Sequence, residues 1–166
     1  MSRYILIETS TSLCSCALAE DGRTVSYRES GEPKVHASMT AVFIDEMLRE
    51  AGWKLSELSG VCVSSGPGSY TGLRVGVSTA KGLCFGSGIP LISIPTTDIL
   101  VEQALDLQVA DTEFIVPMID ARRMEVYQAV YRRQENGHYV RITDVSPLIV
   151  EESSYEQYLE QGRVLF

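Results

Sequence analysis

Gly60-Val61-Cys62-Val63-Ser64-Ser65-Gly66-Pro67-Gly68-Ser69-Tyr70-Thr71-Gly72-Leu73-Arg74-Val75-Gly76 is the stretch on which the fold turns. Residues 60–64 read as a short buried strand, and a helix is expected from about Thr71 to Phe85. The glycines at 66 and 68 permit a sharp turn between the two. At its start, such a helix leaves backbone N–H groups without intrahelical partners, an arrangement suited to an anion. It is not a Walker loop, because no Gly-Lys-Ser/Thr follows at the required spacing. Two readings of Gly66, Pro67, Gly68, Ser69, Tyr70 and Thr71 therefore stand. The segment is a tight turn capped by Ser69 or Thr71, or it contacts a phosphate or a partner.

The helix itself is sparse in charge, with only Arg74 and Lys81. Gly72, Gly76, Ala80 and Cys84 recur at four-residue steps, a smooth stripe that lets another backbone approach closely. Val75, Ser78, Thr79, Gly82 and Leu83 occupy much of the remaining surface. A helix this small and apolar all round suits water poorly. Either both faces are covered within the domain, or one docks on another protein.

Upstream, residues 4–8, 13–19 and 24–29 read as three strands, the last two joined by a hairpin turn at Asp21-Gly22. From Ser38 to Ala51 the apolar period becomes helical, with Gly52 as the stop. Downstream lie a strand at 91–94 and a helix at 97–107. Three hairpin-linked strands followed by helix–strand–helix–strand is the order of a ribonuclease-H-like half-domain, an α/β mixed sheet of order βββαβα found in actin-like ATPases. Residues 114–120 then repeat the opening theme of an apolar strand ending in an acid, followed by a strand at 125–131, an Asn136-Gly137 turn and a strand at 138–142. That echo predicts two lobes related by duplication, 1–108 and 109–166, with Glu8 and Asp120 flanking the crevice between them. A helix near 151–160 and a strand begun at 163–166 leave the second lobe reading as incomplete, a chain truncated at its C-terminus. Carboxylates such as Glu8 and Asp120 either cap turns or hold Mg²⁺ through water.

Composition narrows the function classes. With 14 basic against 22 acidic residues, the formal charge is −8. No basic stripe is visible, Arg122-Arg123 and Arg132-Arg133 being the only adjacent basic pairs, so any RNA is expected to be gripped by a partner. No apolar run reaches the ~20 residues of a membrane span, and Met1-Ser2-Arg3 leads directly into a strand with no secretory signal, so a cytoplasmic address is expected. Cys14, Cys16, Cys62 and Cys84 read as reduced thiols, since no C-x-x-C pair occurs. His36 and His138 are remote, and Thr40 stands one helical turn after His36, so no metal site is expected.

At this point the sequence resembles the TsaB family, also called YeaZ and formerly grouped with glycoproteases. The resemblance rests on Ile7-Glu8-Thr9-Ser10-Thr11, the Ser65–Gly76 segment, Ala80-Lys81-Gly82-Leu83, and Ile119-Asp120-Ala121-Arg122 with Glu125-Val126-Tyr127. Glu8 replaces the family's usual Asp, and the chain ends before the family's usual C-terminal part. The resemblance implies a non-catalytic scaffold that pairs with the related TsaD, which transfers a threonylcarbamoyl group to the adenosine beside the anticodon of tRNA. TsaE joins that assembly, and self-association as a homodimer uses the same surface. It implies no cofactor, with weak nucleotide binding at the glycine turn left open. The metal-binding histidine pair of TsaD reduces here to His36 and Thr40. The implied pairing surface is a bundle of the first two helices, about 37–51 and 71–86, taking in Val42 and Phe43 on the first. On the second it takes in Gly72, Arg74, Val75, Gly76, Ser78, Thr79 and Gly82. The rival readings are an active small-molecule kinase or ATPase of the same fold and a metalloprotease.

Overall fold

The structure is a computed structural model and describes residues 1–32, 35–105 and 111–166. Two compact units divide the chain, Met1–Pro95 and Thr96–Phe166. The expected lobe boundary at 108/109 lies outside the described residues. The helix just before it belongs to the second unit rather than to the first.

In the first unit, β1 (Arg3–Glu8), β2 (Cys14–Glu20), β3 (Arg23–Ser30), β4 (Gly60–Ser64) and β5 (Leu91–Ile94) form one sheet of order β3-β2-β1-β4-β5. The hairpin strands β1, β2 and β3 pair antiparallel, whereas β4 and β5 add in parallel. A parallel neighbour requires a crossover, supplied by α1 (His36–Ala51) before β4 and α2 (Tyr70–Ser87) before β5. The register sets Ile5 beside Leu18 and Val61, and Ile7 beside Cys16 and Val63. These side chains share one face and are buried together with Phe43, Ile44, Met47 and Leu48 of α1 and Ala80 of α2. Burying each large member of such a cluster contributes about 1.5–3 kcal/mol. Gly52 ends α1 in the left-handed conformation (φ 68°), its N–H donating to the Arg49 carbonyl.

Each expected strand and helix of this unit is present. The largest shifts are two residues: α1 begins early, at His36, and α2 ends late, at Ser87.

The second unit begins with α3 (Thr96–Leu105); residues 106 and 107 of the expected helix are outside the described residues. The expected strands 114–120 and 125–131 are each interrupted. β6 (Phe114–Ile115) and β9 (Tyr131–Arg133) pair in one sheet, β7 (Met118–Arg122) and β8 (Glu125–Gln128) in another. Register is nonetheless constant across the break, since Ile115 opposes Tyr131 and Met118 opposes Gln128. Pro117 has no N–H to offer there, and the Val116 N–H is spent on the Leu165 carbonyl.

With β10 (Tyr139–Arg141), β11 (Ser146–Ile149) and β12 (Val164–Leu165), the orders are β10-β9-β6-β12 and β11-β8-β7. The helix expected over 151–160 is one turn, α4 (Glu156–Leu159), held by Tyr158 against Phe114 at 5.2 Å between ring centroids. β11 has no counterpart in the sequence reading. Its Pro147 argues against a central strand, yet β11 lies at a sheet edge, where a missing N–H costs no ladder bond. No helix among the described residues is long and apolar enough to cross a membrane.

Candidate functional site

The glycine turn is built by packing against the chain that leaves β1. The Ser69 N–H donates to the Ser10 carbonyl at 2.6 Å, and Ser65 N–H to Ile94 C=O at 2.9 Å, so both neighbouring strands hold the turn. Ser69 caps α2, its Oγ accepting from Gly72 N–H at 3.3 Å; of the two expected caps, Ser69 is the one used. Gly66 has φ +104°, a conformation that side chains rarely adopt. A Cβ on Gly68 would run into the Ser10 carbonyl, and one on Gly72 into the Thr9 carbonyl oxygen. On Gly76 it would collide with the Thr9 hydroxyl.

This corrects one expectation. Gly72 and Gly76 were assigned to the partner surface, but both are buried, and the backbone that approaches them is Thr9 of the same chain. Phe43 is corrected likewise. It points into the core beneath α1 (7% exposed), leaving neighbouring Val42 on the surface.

The outer side of α2 is different in kind. Thr71, Arg74, Ser78, Lys81, Gly82 and Phe85 are exposed, and Val75 and Thr79 are half-buried. Phe85 is 94% exposed and lies between Gly82 and Gly86, around both of which an added Cβ would meet nothing within 4 Å. Tyr70 (75% exposed) opens the helix, with the Arg74 guanidinium 5.4 Å from its ring centroid. Thr71, Arg74, Val75 and Ser78 line a shallow hollow of about 330 Å³. The sequence reading missed Phe85, although the spacing 71, 74, 78, 82 continues to 85.

The two carboxylates act locally, each within its own unit. Glu8 Oε1 accepts from Ser10 N–H at 2.6 Å, and Asp120 Oδ1 from Arg122 N–H at 2.8 Å. Beside the glycine turn, Glu8 Oε2, Thr9 Oγ1 and Ser10 Oγ are buried and lack a hydrogen-bond partner. Gly68 packs on Ser10, and Gly72 and Gly76 pack on Thr9, so these two residues lie against the turn and the helix start that follows it.

His36 Nε2 lies 3.1 Å from the Thr11 carbonyl, and Thr40 Oγ1 donates to the His36 carbonyl at 2.6 Å. Thr40 is buried against Cys14 Sγ at 3.4 Å. Among the described residues, no group of three or more His, Cys, Asp and Glu side chains could hold a metal ion. Burial pushes the Cys16 thiol up to about 12, with Cys14 adding to the effect, so this thiol stays protonated and inert. In the second unit, burial and a hydrogen bond to Asp98 push Tyr131 up to about 12.

A central strand flanked by an antiparallel hairpin on one side and helix-linked parallel strands on the other defines a mixed α/β protein of the ribonuclease-H-like, actin-like class. The family model described as "TsaD: tRNA N6-adenosine threonylcarbamoyltransferase" matches residues 33–146. Within that class, the chain belongs to the TsaB (YeaZ) family. It is 35% identical over 135 residues to the tRNA threonylcarbamoyladenosine biosynthesis protein TsaB of Escherichia coli K12, covering 81% of this chain and 57% of that protein. With the protein of the same name from Haemophilus influenzae it shares 36% identity over 123 residues, 74% of this chain and 51% of that one. A solved structure of YeaZ from Pseudomonas aeruginosa matches with a TM-score of 0.78 at 31% identity, covering 92% of this chain and 69% of that chain. The chain thus spans about half the length of the curated relatives it matches.

Proposed function

We propose that this chain is a non-catalytic partner in threonylcarbamoyladenosine modification of tRNA, acting by pairing with an enzyme of the TsaD class. The name carried by its relatives supports the reaction. The observation that carries the pairing is the outer face of α2, where Phe85 stands exposed between two open glycines on a helix whose only charged residues are Arg74 and Lys81. Large exposed aromatics in a small-residue setting are typical anchors of association surfaces. Arg74, Val75, Ser78, Thr79, Gly82 and Phe85, with Val42 of α1, make up the proposed surface. The same surface serves a homodimer when the partner is absent, and TsaE joins the pair. The complex works in the cytoplasm, and the grip on tRNA lies mainly with the partner.

We also read the two units as products of one duplication. Supporting this, the order β10-β9-β6-β12 has the pattern of β3-β2-β1-β4: a strand, its antiparallel hairpin, a third strand, and a parallel fourth reached through a helix.

Co-purification with TsaD, followed by threonylcarbamoylation of tRNA with and without this chain, tests the reading. Product should form efficiently only when both proteins are present. Full activity of TsaD alone, or no association between the two, would refute it.

A second reading, an ATPase of the same fold, draws on the unpartnered oxygens of Glu8, Thr9 and Ser10 beside the glycine turn. Calorimetry with ATP and Mg²⁺ separates the two. Micromolar binding with turnover by this chain alone favours the ATPase; weak binding without turnover favours the scaffold.

A further inference from the structure

Three hairpin turns among the described residues use different chemistry. Glu20 pairs with Arg23 around Asp21-Gly22, both at positive φ (47° and 78°), which is the Asp-Gly pattern favoured in two-residue turns. The turn between β9 and β10 uses Asn136 and Gly137 (φ 83°). The turn between β7 and β8 breaks the rule. Arg122 pairs with Glu125 around Arg123-Met124, and Arg122, Arg123 and Met124 all take positive φ (67°, 55° and 66°). Among the described residues, every other one at positive φ is Gly or Asp. A left-handed backbone is unfavourable for long side chains, and a composition that opposes the local conformation signals a demand other than folding.

What this turn displays narrows the demand. Arg122 and Arg123 are exposed, and Met124 is 88% exposed. Neither guanidinium forms an ion pair among the described residues, although Glu125 stands opposite Arg122 in register. Asp120, the nearest other acid in sequence, has Oδ1 engaged with the Arg122 backbone. The fold therefore holds two adjacent, unpaired guanidiniums and an apolar thioether on a tight tip. Guanidiniums match phosphate oxygens in geometry as well as charge.

We propose that the Arg122–Met124 turn is a phosphate contact that touches the backbone of the RNA substrate; this rests on the tRNA-modification reading above. On a chain of formal charge −8, two guanidiniums do not make a grip. They position RNA held mainly by the partner, as phosphate contacts without base contacts do.

The test uses the full chain paired with TsaD and an anticodon stem-loop RNA as probe, titrated over a range of salt concentrations. Two phosphate contacts should each contribute roughly 0.7–0.9 to the slope of log affinity against log salt. Arg122→Ala/Arg123→Ala should therefore flatten the slope by about 1.5 and weaken RNA binding roughly tenfold, with TsaD pairing unchanged. A second variant, Arg123→Asn/Met124→Gly, installs the favoured turn. It should raise the unfolding temperature while weakening RNA binding.

Unaltered slope and affinity in the double-alanine variant would overturn the proposal. So would a loss confined to protein pairing, which would assign the turn to an acidic protein surface. A lowered unfolding temperature in the Asn-Gly variant would also overturn it, by showing that these residues serve the fold. If the unsubstituted chain fails to pair with TsaD at all, the underlying reading falls and this inference with it.

Discussion

The two sides of α2 carry glycine for opposite reasons. On the inner side, Gly72 and Gly76 are buried where a Cβ would collide with Thr9, so the absence of a side chain is a condition of folding. On the outer side, Gly82 and Gly86 have open space, and none of the described residues crowds a side chain there. Glycine inside a helix costs about 1 kcal/mol relative to alanine. A glycine that folding requires and one that folding does not require teach different things. The first explains the fold, and the second points to a surface used by something else.

The largest effect expected from breaking this contrast is at Gly72. Gly72→Ala drives a methyl group into the Thr9 carbonyl, and both groups are backbone-anchored, one by α2 and one at the end of β1. Urea unfolding should show a loss of about 3 kcal/mol or more, at the upper end of overpacking effects. Gly76→Ala should cost about 1–3 kcal/mol, because the colliding group is the Thr9 hydroxyl. Thr9→Ala in the same chain should restore part of that loss, and a double-mutant cycle would measure a coupling of about 1 kcal/mol or more. Additive losses would show that the two residues do not press on each other. Gly82→Ala should instead stabilise the chain by roughly 1 kcal/mol through helix propensity alone.

A milder, pH-dependent effect sharpens the view of the core on the same side. Cys16 has its thiol raised from 9.0 to about 12 by burial. A raised value means that the neutral form is favoured in the folded state, so the associated stability is whole below pH 9 and is lost as pH climbs towards 12. Unfolding midpoints should fall over that alkaline window, and Cys16→Ala should flatten the decline.

Much of the first unit was legible from sequence, because its signals are local and periodic. The apolar run of β1, the alternation of β2, the 3.6-residue period of α1 and the Asp21-Gly22 turn each specify an element within a residue or two. What sequence could not supply was the identity of the neighbour. The stripe Gly72, Gly76, Ala80 announces a close backbone approach, yet period alone does not say whether that backbone is Thr9 or a second molecule. Phe43 and Val42 pose the same problem, since adjacent helix positions straddle the boundary between core and surface. In the second unit the positions of the hairpin strands were readable, whereas the sheet change at Pro117 and the edge strand bearing Pro147 depend on tertiary context. The Arg122–Met124 turn carries no glycine or asparagine, so nothing in its composition forecast three left-handed residues. At the candidate site, the burial of Thr9 and Ser10 beside the glycine turn follows from the pairing of β1 with β4, which no local pattern announces.

The central claim is that the outer face of α2 is kept bare for a partner. Titrating TsaD into the Gly82→Leu variant tests it most directly, with unfolding by heat followed in parallel. The account predicts a variant at least as stable as the parent chain, since among the described residues nothing outside the helix's own backbone lies within 4 Å of the new Cβ, and an association with TsaD too weak to detect. A stable variant that binds TsaD as tightly as the parent would contradict it.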